Sequence, residues 1–163
     1  MPMRNLIVVA FLEPVTEGME FPRDAWPLHI TLVKFDVVDD ALAARVAGLM
    51  DAPIRAALGS TVTVGGEAGF GRGGSVPVSL IEASAPLQGL HEALVGVVEA
   101  LPGRVATPGY TKAGFRPHVS HRAGQAPKTG EALELDRIAL VDMAPDGGHA
   151  TRRILRLWRP NRE

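Results

Sequence analysis

Apolar residues fall along the chain in short blocks, some with the spacing of strands and some with the spacing of helices. Asn5 to Leu12 is a continuous Val/Ile-rich run ended by Pro14, the pattern of a strand buried on both faces. Glu13 to Asp24 is a Pro, Gly and Glu-rich loop. Leu28 to Val37, rich in β-branched and aromatic residues, is a second strand. Asp39 or Asp40 can cap a helix carrying Ala41, Leu42, Val46, Leu49 and Met50, which Pro53 is expected to kink or split and Gly59 to stop. Thr61 to Gly69 and Val76 to Ala83 read as strands around a turn marked by Gly69, Gly71, Gly73 and Gly74. Leu87, Leu90, Leu94, Val97, Val98 and Leu101 keep helical spacing up to Pro102 and Gly103. Pro102 to Pro117 is a long Gly/Pro-rich loop, a length usually reserved for function or motion. His118 to Arg122 is a short strand, and Leu133 to Met143 and Thr151 to Trp158 are two more around a Pro145–Gly148 turn. Strands interspersed with helices predict an α+β protein with a mainly antiparallel sheet.

Composition narrows this picture. A chain of 163 residues fits one domain, 1–163, or two small lobes sharing a core, roughly 1–82 and 83–163. With no Cys there is no disulfide framework, thiolate nucleophile or Cys-ligated metal. The net charge of -1 argues against a duplex-coating protein. That charge is unevenly spread. Leu101 to Gly130 carries Arg104, Lys112, Arg116, Arg122 and Lys128 with no acidic residue, and the last segment adds Arg152, Arg153, Arg156, Arg159 and Arg162. A basic cleft for an anionic ligand is one reading, and a solvated basic rim is the other. The run Leu6 to Leu12 is far shorter than the ~20 residues a membrane helix needs, so no membrane partner is expected and the cytoplasm is the expected compartment.

One long-range repeat carries chemistry. Pro27-Leu28-His29-Ile30-Thr31-Leu32 parallels Arg116-Pro117-His118-Val119-Ser120-His121, each with Pro upstream, then His, an apolar β-branched residue and a hydroxyl residue. Side chains alternate along a strand, so His29 and Thr31 share one face, as do His118 and Ser120, while Ile30 and Val119 point into a core. Two such strands side by side bring two imidazoles and two hydroxyls to one cleft. A neutral His can take the proton of an attacking water or hydroxyl, and a protonated one can donate to the departing oxygen. Hydroxyls can hold non-bridging phosphate oxygens. If the strand continues far enough, alternation adds Arg122 as a phosphate contact. Tyr110, Lys112 and Arg116, on the loop entering the second motif, are expected either to grip substrate as a lid or to form a solvated connection. The scheme needs no metal and no organic cofactor.

The paired motifs His29-Ile30-Thr31-Leu32 and His118-Val119-Ser120-His121 resemble the signature of the two-histidine phosphoesterases, the superfamily of bacterial 2'-5' RNA ligases and cyclic phosphodiesterases. The resemblance extends to the apolar opening strand, the helix after the first motif, the helix before the second, and the Phe115-Arg116-Pro117-His118 approach. It implies a bilobal α+β fold with pseudo-twofold symmetry and a central cleft. It implies His29 and His118 as the acid/base pair, with Thr31 and Ser120 orienting the phosphate. It also implies opening of a 2',3'-cyclic nucleotide phosphate or reversible 2'-5' joining of RNA ends. The expected partner is a cyclic nucleotide or an RNA 3'-end phosphate, bound by a monomer with no obligate protein partner. The sequence departs from the common pattern at His121, where an apolar residue usually stands; alternation turns it away from His118, to the surface or behind the site.

Two rival readings remain. His118 and His121 form His-x-x-His, but residues three apart on a strand face opposite ways, poorly placed for one ion. A non-catalytic RNA-end or nucleotide-binding module could use the same basic cleft, although few aromatics are available for stacking. His91 and His149 read as surface residues. Lys34, opposite in phase to His29 on an ideal strand, is left out of the site.

Overall fold

The structure is a computed structural model that describes residues 4–105 and 111–160. Ten strands and two helices follow in the order β1 (Arg4–Phe11), β2 (Glu20–Pro22), β3 (His29–Val37), α1 (Asp40–Ala57), β4 (Thr61–Phe70), β5 (Val76–Ile81), α2 (Ala85–Glu99), β6 (Gly103–Val105), β7 (His118–Ser120), β8 (Ala132–Glu134), β9 (Ile138–Asp142) and β10 (Thr151–Trp158). The fold is α+β, as the interspersed pattern predicts. Nine strands run in the order β2-β10-β9-β1-β3-β7-β5-β4-β8, with β6 added beside β3, and every pairing is antiparallel. The sheet curls into a half-barrel against the two helices.

The apolar run that opens the chain has a simple explanation. β1 lies inside the sheet, and alternate residues feed two cores: Leu6, Val8 and Ala10 pack with the helices, while Ile7, Val9 and Phe11 join Phe21, Val141 and Ile154 on the opposite face. α1 and α2 cover the first face with Val46, Met50, Ile54, Leu87, Leu90, Leu94 and Val98. The Asp39 side chain accepts from the Leu42 amide at the start of α1, a cap whose loss costs about 1 kcal/mol. Pro53 does not split this helix: α1 runs unbroken to Ala57, and the Leu49 carbonyl it deprives of a donor belongs to an exposed residue that water can reach. Gly59, at φ 89, follows the helix end.

Several boundaries differ from the sequence pattern. α2 begins earlier, because Ser84 caps it through the Leu87 amide. The Glu13–Asp24 loop contains β2, recruited by pairing with β10, and the long loop contains β6, recruited by β3. Such short strands exist by pairing and carry no periodicity of their own. The expected strand from Leu133 to Met143 is two strands: β8 pairs with β4 at one end of the sheet, and β9 pairs with β1 and β10 toward the other. The sheet mixes strands from the two halves of the chain. β4 and β5 lie on the β7 side and β9 and β10 on the β3 side, so each side of the sheet draws on both halves of the chain. No helix among the described residues is long and apolar enough to cross a membrane.

Candidate functional site

The two motif strands meet in the middle of the sheet. β3 and β7 pair antiparallel with Ile30 opposite Val119, both fully buried under the helices. This register puts His29 opposite Ser120 and Thr31 opposite His118, on the sheet face away from the helices. The histidines are therefore diagonal neighbours, roughly 7–8 Å apart at Cα. Each hydroxyl stands beside the histidine of the other motif.

The rings are held in matching ways. His29 Nδ1 lies 2.8 Å from the Pro27 carbonyl oxygen, and His118 Nδ1 lies 2.8 Å from that of Arg116. A carbonyl demands a donor, so Nδ1 carries the proton and Nε2 of each neutral ring is left as the exchangeable nitrogen. Each imidazole also packs on an aromatic ring backed by an arginine. Trp26 stands 4.5 Å from His29, with the Arg152 guanidinium 6.0 Å from the Trp26 ring. Phe70 stands 4.4 Å from His118, with the Arg116 guanidinium 4.8 Å from the Phe70 ring. Phe11 adds an edge to His29 at 6.1 Å. Burial among these rings pushes the His29 pKa below the usual imidazole value; the Pro27 carbonyl opposes this, and the charge of His118 adds to the depression.

A cavity of about 570 Å³ opens beside the pair, lined by Thr31, His118, Phe70, Arg116, Lys34 and His91 among others. His29 and Ser120 are not among its lining residues; register places them next to it. Lys34 is a correction to the strand reading. β3 bulges at Leu32, because Val8 pairs with Val33 and Val9 with Thr31, leaving Leu32 without a partner on β1. The extra residue resets the alternation, so Lys34 pairs with Ile7 and faces the same way as His29 and Thr31. Among the described residues it makes no ion pair.

Other candidate residues are placed differently. β7 ends at Ser120, and Arg122 sits in a tight turn bridged to Gln125 that contains Ala123 at φ 50. The alternation that would carry Arg122 to the phosphate therefore stops short. Its guanidinium lies 3.4 Å from Glu13 Oε1 and 3.0 Å from Gln125 Oε1, while Glu13 Oε2 accepts from the Leu28 amide. Arg122 thus ties the exit of the second motif to the entry of the first. Of the lid candidates, Arg116 lines the cavity, Lys112 points its ammonium at Glu99 at 3.1 Å, and Tyr110 lies outside the described residues. Of the described C-terminal arginines, Arg153 pairs with Glu20 and Asp146, and Arg156 with Asp51.

His121 turns to the helix side, where its Nε2 lies 2.8 Å from the buried Ser79 hydroxyl. It does not converge with His118, and among the described residues no cluster of three His, Asp or Glu side chains is arranged to hold a metal ion. His91 is the residue misread as surface. It is 2% exposed, and its position on the Leu87, Leu90, Leu94, Val98 stripe of α2 is the signal that could have revealed this. Phe70 and Trp26 lie far from either motif in sequence or just before it, and no local pattern marks them as ring supports. Lys34 depends on a bulge that periodicity does not announce.

The model of the 2'-5' RNA ligase superfamily matches residues 12–147. No curated protein matches the chain in sequence. Among solved structures, TT0787 of Thermus thermophilus is similar, with a TM-score of 0.61, 20% identity and coverage of 98% of this chain and 99% of that one. E. coli LigT complexed with 3'-AMP superposes with a TM-score of 0.60 at 18% identity over 98% of this chain and 99% of that one. E. coli LigT complexed with ATP does so with a TM-score of 0.59 at 17% identity over the same shares. At these identities the likeness speaks to the fold alone.

Proposed function

Because the chain belongs to the 2'-5' RNA ligase superfamily, we propose that it is a phosphoesterase that opens 2',3'-cyclic phosphates of nucleotides or RNA ends by paired histidine acid–base catalysis. The observation that carries this reading is the β3–β7 register, which sets two imidazoles diagonally across two hydroxyls with both Nε2 atoms unclaimed by the hydrogen bonds of Nδ1. E. coli LigT, a similar structure, is found complexed with ATP and with 3'-AMP, which is consistent with a nucleotide substrate.

His29 is assigned as the base, since burial keeps its ring neutral near pH 7. His29 Nε2 takes a proton from water as the water oxygen forms a bond to phosphorus. The bond from phosphorus to one bridging ribose oxygen breaks, and His118 Nε2–H delivers its proton to that oxygen. The product is a phosphomonoester beside a free hydroxyl, and the two rings return to their starting states by exchanging a proton with solvent. Thr31 and Ser120 donate to the non-bridging oxygens, where fixed donors are most effective because charge is held there through the displacement. Lys34 and Arg116 give the cavity its positive character and suit an anionic substrate.

The test is a panel of 2',3'-cyclic nucleotides and cyclic-phosphate-terminated oligonucleotides, assayed with wild type, H29A and H118A. Turnover by wild type and near-complete loss in both variants supports the reading. Binding without turnover by wild type would make the chain a recognition module.

A further inference from the structure

Outside the paired motifs, the most unusual side-chain arrangement surrounds His91. Its ring is buried between α2 and the segment that leads into β7. Nδ1 lies 2.6 Å from the Leu32 carbonyl, the bulged residue of β3, so Nδ1–H donates there. The opposite nitrogen, Nε2, accepts from the backbone amide of Lys112 at 2.9 Å. The ring face lies flat on Phe115, with centroids 3.8 Å apart and planes 4° from parallel. One side chain therefore grips both the β3 bulge and the segment 111–116.

Lys112 is held from α2 at three points. Its amide goes to His91, its carbonyl accepts from Gln88 Nε2 at 2.8 Å, and its ammonium meets Glu99 at 3.1 Å. These partners recur along one side of the helix. Lys112 itself has φ 55, a left-handed conformation that a side-chain-bearing residue keeps only when its surroundings impose it. The segment so held supplies Phe115 and Arg116, which wall both the 570 Å³ cavity and a neighbouring one of about 540 Å³. Where Phe115 stands decides how the space is divided between them. Arg116 also offers the carbonyl that fixes the His118 ring.

We infer that His91 is a positioning residue: acting through Lys112 and Phe115 on one side and the Leu32 bulge on the other, it sets the wall of the substrate cavity opposite β3. It touches neither reacting atoms nor the proton path, so its loss is felt first in substrate binding. The kinetic part of this inference rests on the function proposed above; the structural part does not.

Three variants separate the contributions. H91F keeps the stack on Phe115 and loses both hydrogen bonds. H91Q keeps one donor and one acceptor. Q88A removes an exposed partner of Lys112 without touching the core. Amide hydrogen exchange is followed in 111–116 for each, beside KM and kcat for 2',3'-cyclic AMP. The expected result for H91F is exchange in 111–116 faster by about 10-fold, KM raised about 10-fold and kcat lowered less than about 3-fold, with H91Q intermediate. Q88A shifts exchange in the same direction by about 2–5-fold. Unchanged exchange in 111–116 overturns the inference, and so does faster exchange with unchanged KM. If H91F does not fold, H91Q and Q88A decide by the same criteria. If wild type turns over no cyclic phosphate, the proposed function falls and the exchange result alone decides the role of His91.

Discussion

The two histidine strands share one backbone plan and differ in their surroundings. His29 begins a nine-residue strand flanked by β1 and β7, and it sits in a box of Trp26 and Phe11. His118 begins a three-residue strand reached through a pinned turn, and it has Phe70 as its ring support and the cavity at its side. Both rings present Nε2 through the same Nδ1–carbonyl contact, so the backbone equalises their orientation. What separates them is aromatic packing, two rings against His29 and one against His118. The His29 side strips solvent from the ring and favours its neutral form. A duplicated motif thus supplies two copies of one geometry in unequal packing, and the proposed division into base and acid rests on that inequality.

Removing either ring breaks the comparison most severely. H29A and H118A are each expected to lower kcat/KM by ~10²–10⁴-fold, measured by steady-state hydrolysis of 2',3'-cyclic AMP, and the double variant by little more than the worse single one. A single variant with wild-type turnover removes that histidine from the mechanism. The hydroxyls come next. T31A and S120A are each expected to cost roughly 10–100-fold in kcat/KM, since each loses one donor to the phosphate.

A stability titration sharpens the same contrast. His29 and His91 both have pKa values pushed below the ordinary imidazole value, chiefly by burial. The unfolded chain, with both near ~6.5, then binds more protons than the folded one as pH drops. Stability is therefore full above roughly pH 6.5 and is lost as pH falls below it. The thermal midpoint should drop by on the order of 3 °C between about pH 7.5 and about pH 5, and H29F should remove part of that slope. A midpoint independent of pH in this window contradicts the burial argument. The smallest effect is expected at Arg122. Its pair with Glu13 is half exposed, so R122A should cost at most about 1 kcal/mol in chemical denaturation and change KM by less than about 3-fold.

Sequence pattern reached the parts of this structure that depend on local periodicity. The buried first strand, both helices, and the shared face of His29 with Thr31 and of His118 with Ser120 follow from spacing alone. The pairing of β3 with β7 does not, because antiparallel register is a long-range choice; only the repetition of the motif pointed to it. Lys34 was lost to a single bulge, which shifts every later residue by one face. Arg122 was misplaced for the opposite reason: the strand ended before the alternation reached it. His91 lay in plain view on an apolar stripe, and its polar ring hid the fact that both nitrogens find backbone partners. The short strands β2, β6 and β8 have no pattern to read, since their partners create them.

In the proposed mechanism His29 is the base and His118 the acid. The dependence of kcat/KM on pH, from about pH 5 to about pH 9, tests it most directly in wild type, H29A and H118A with 2',3'-cyclic AMP. The expected result is a bell in wild type whose acid limb lies below the ordinary imidazole range, loss of that acid limb in the residual activity of H29A, and loss of the alkaline limb in that of H118A. A flat wild-type profile, or limbs lost from the opposite variants, contradicts it.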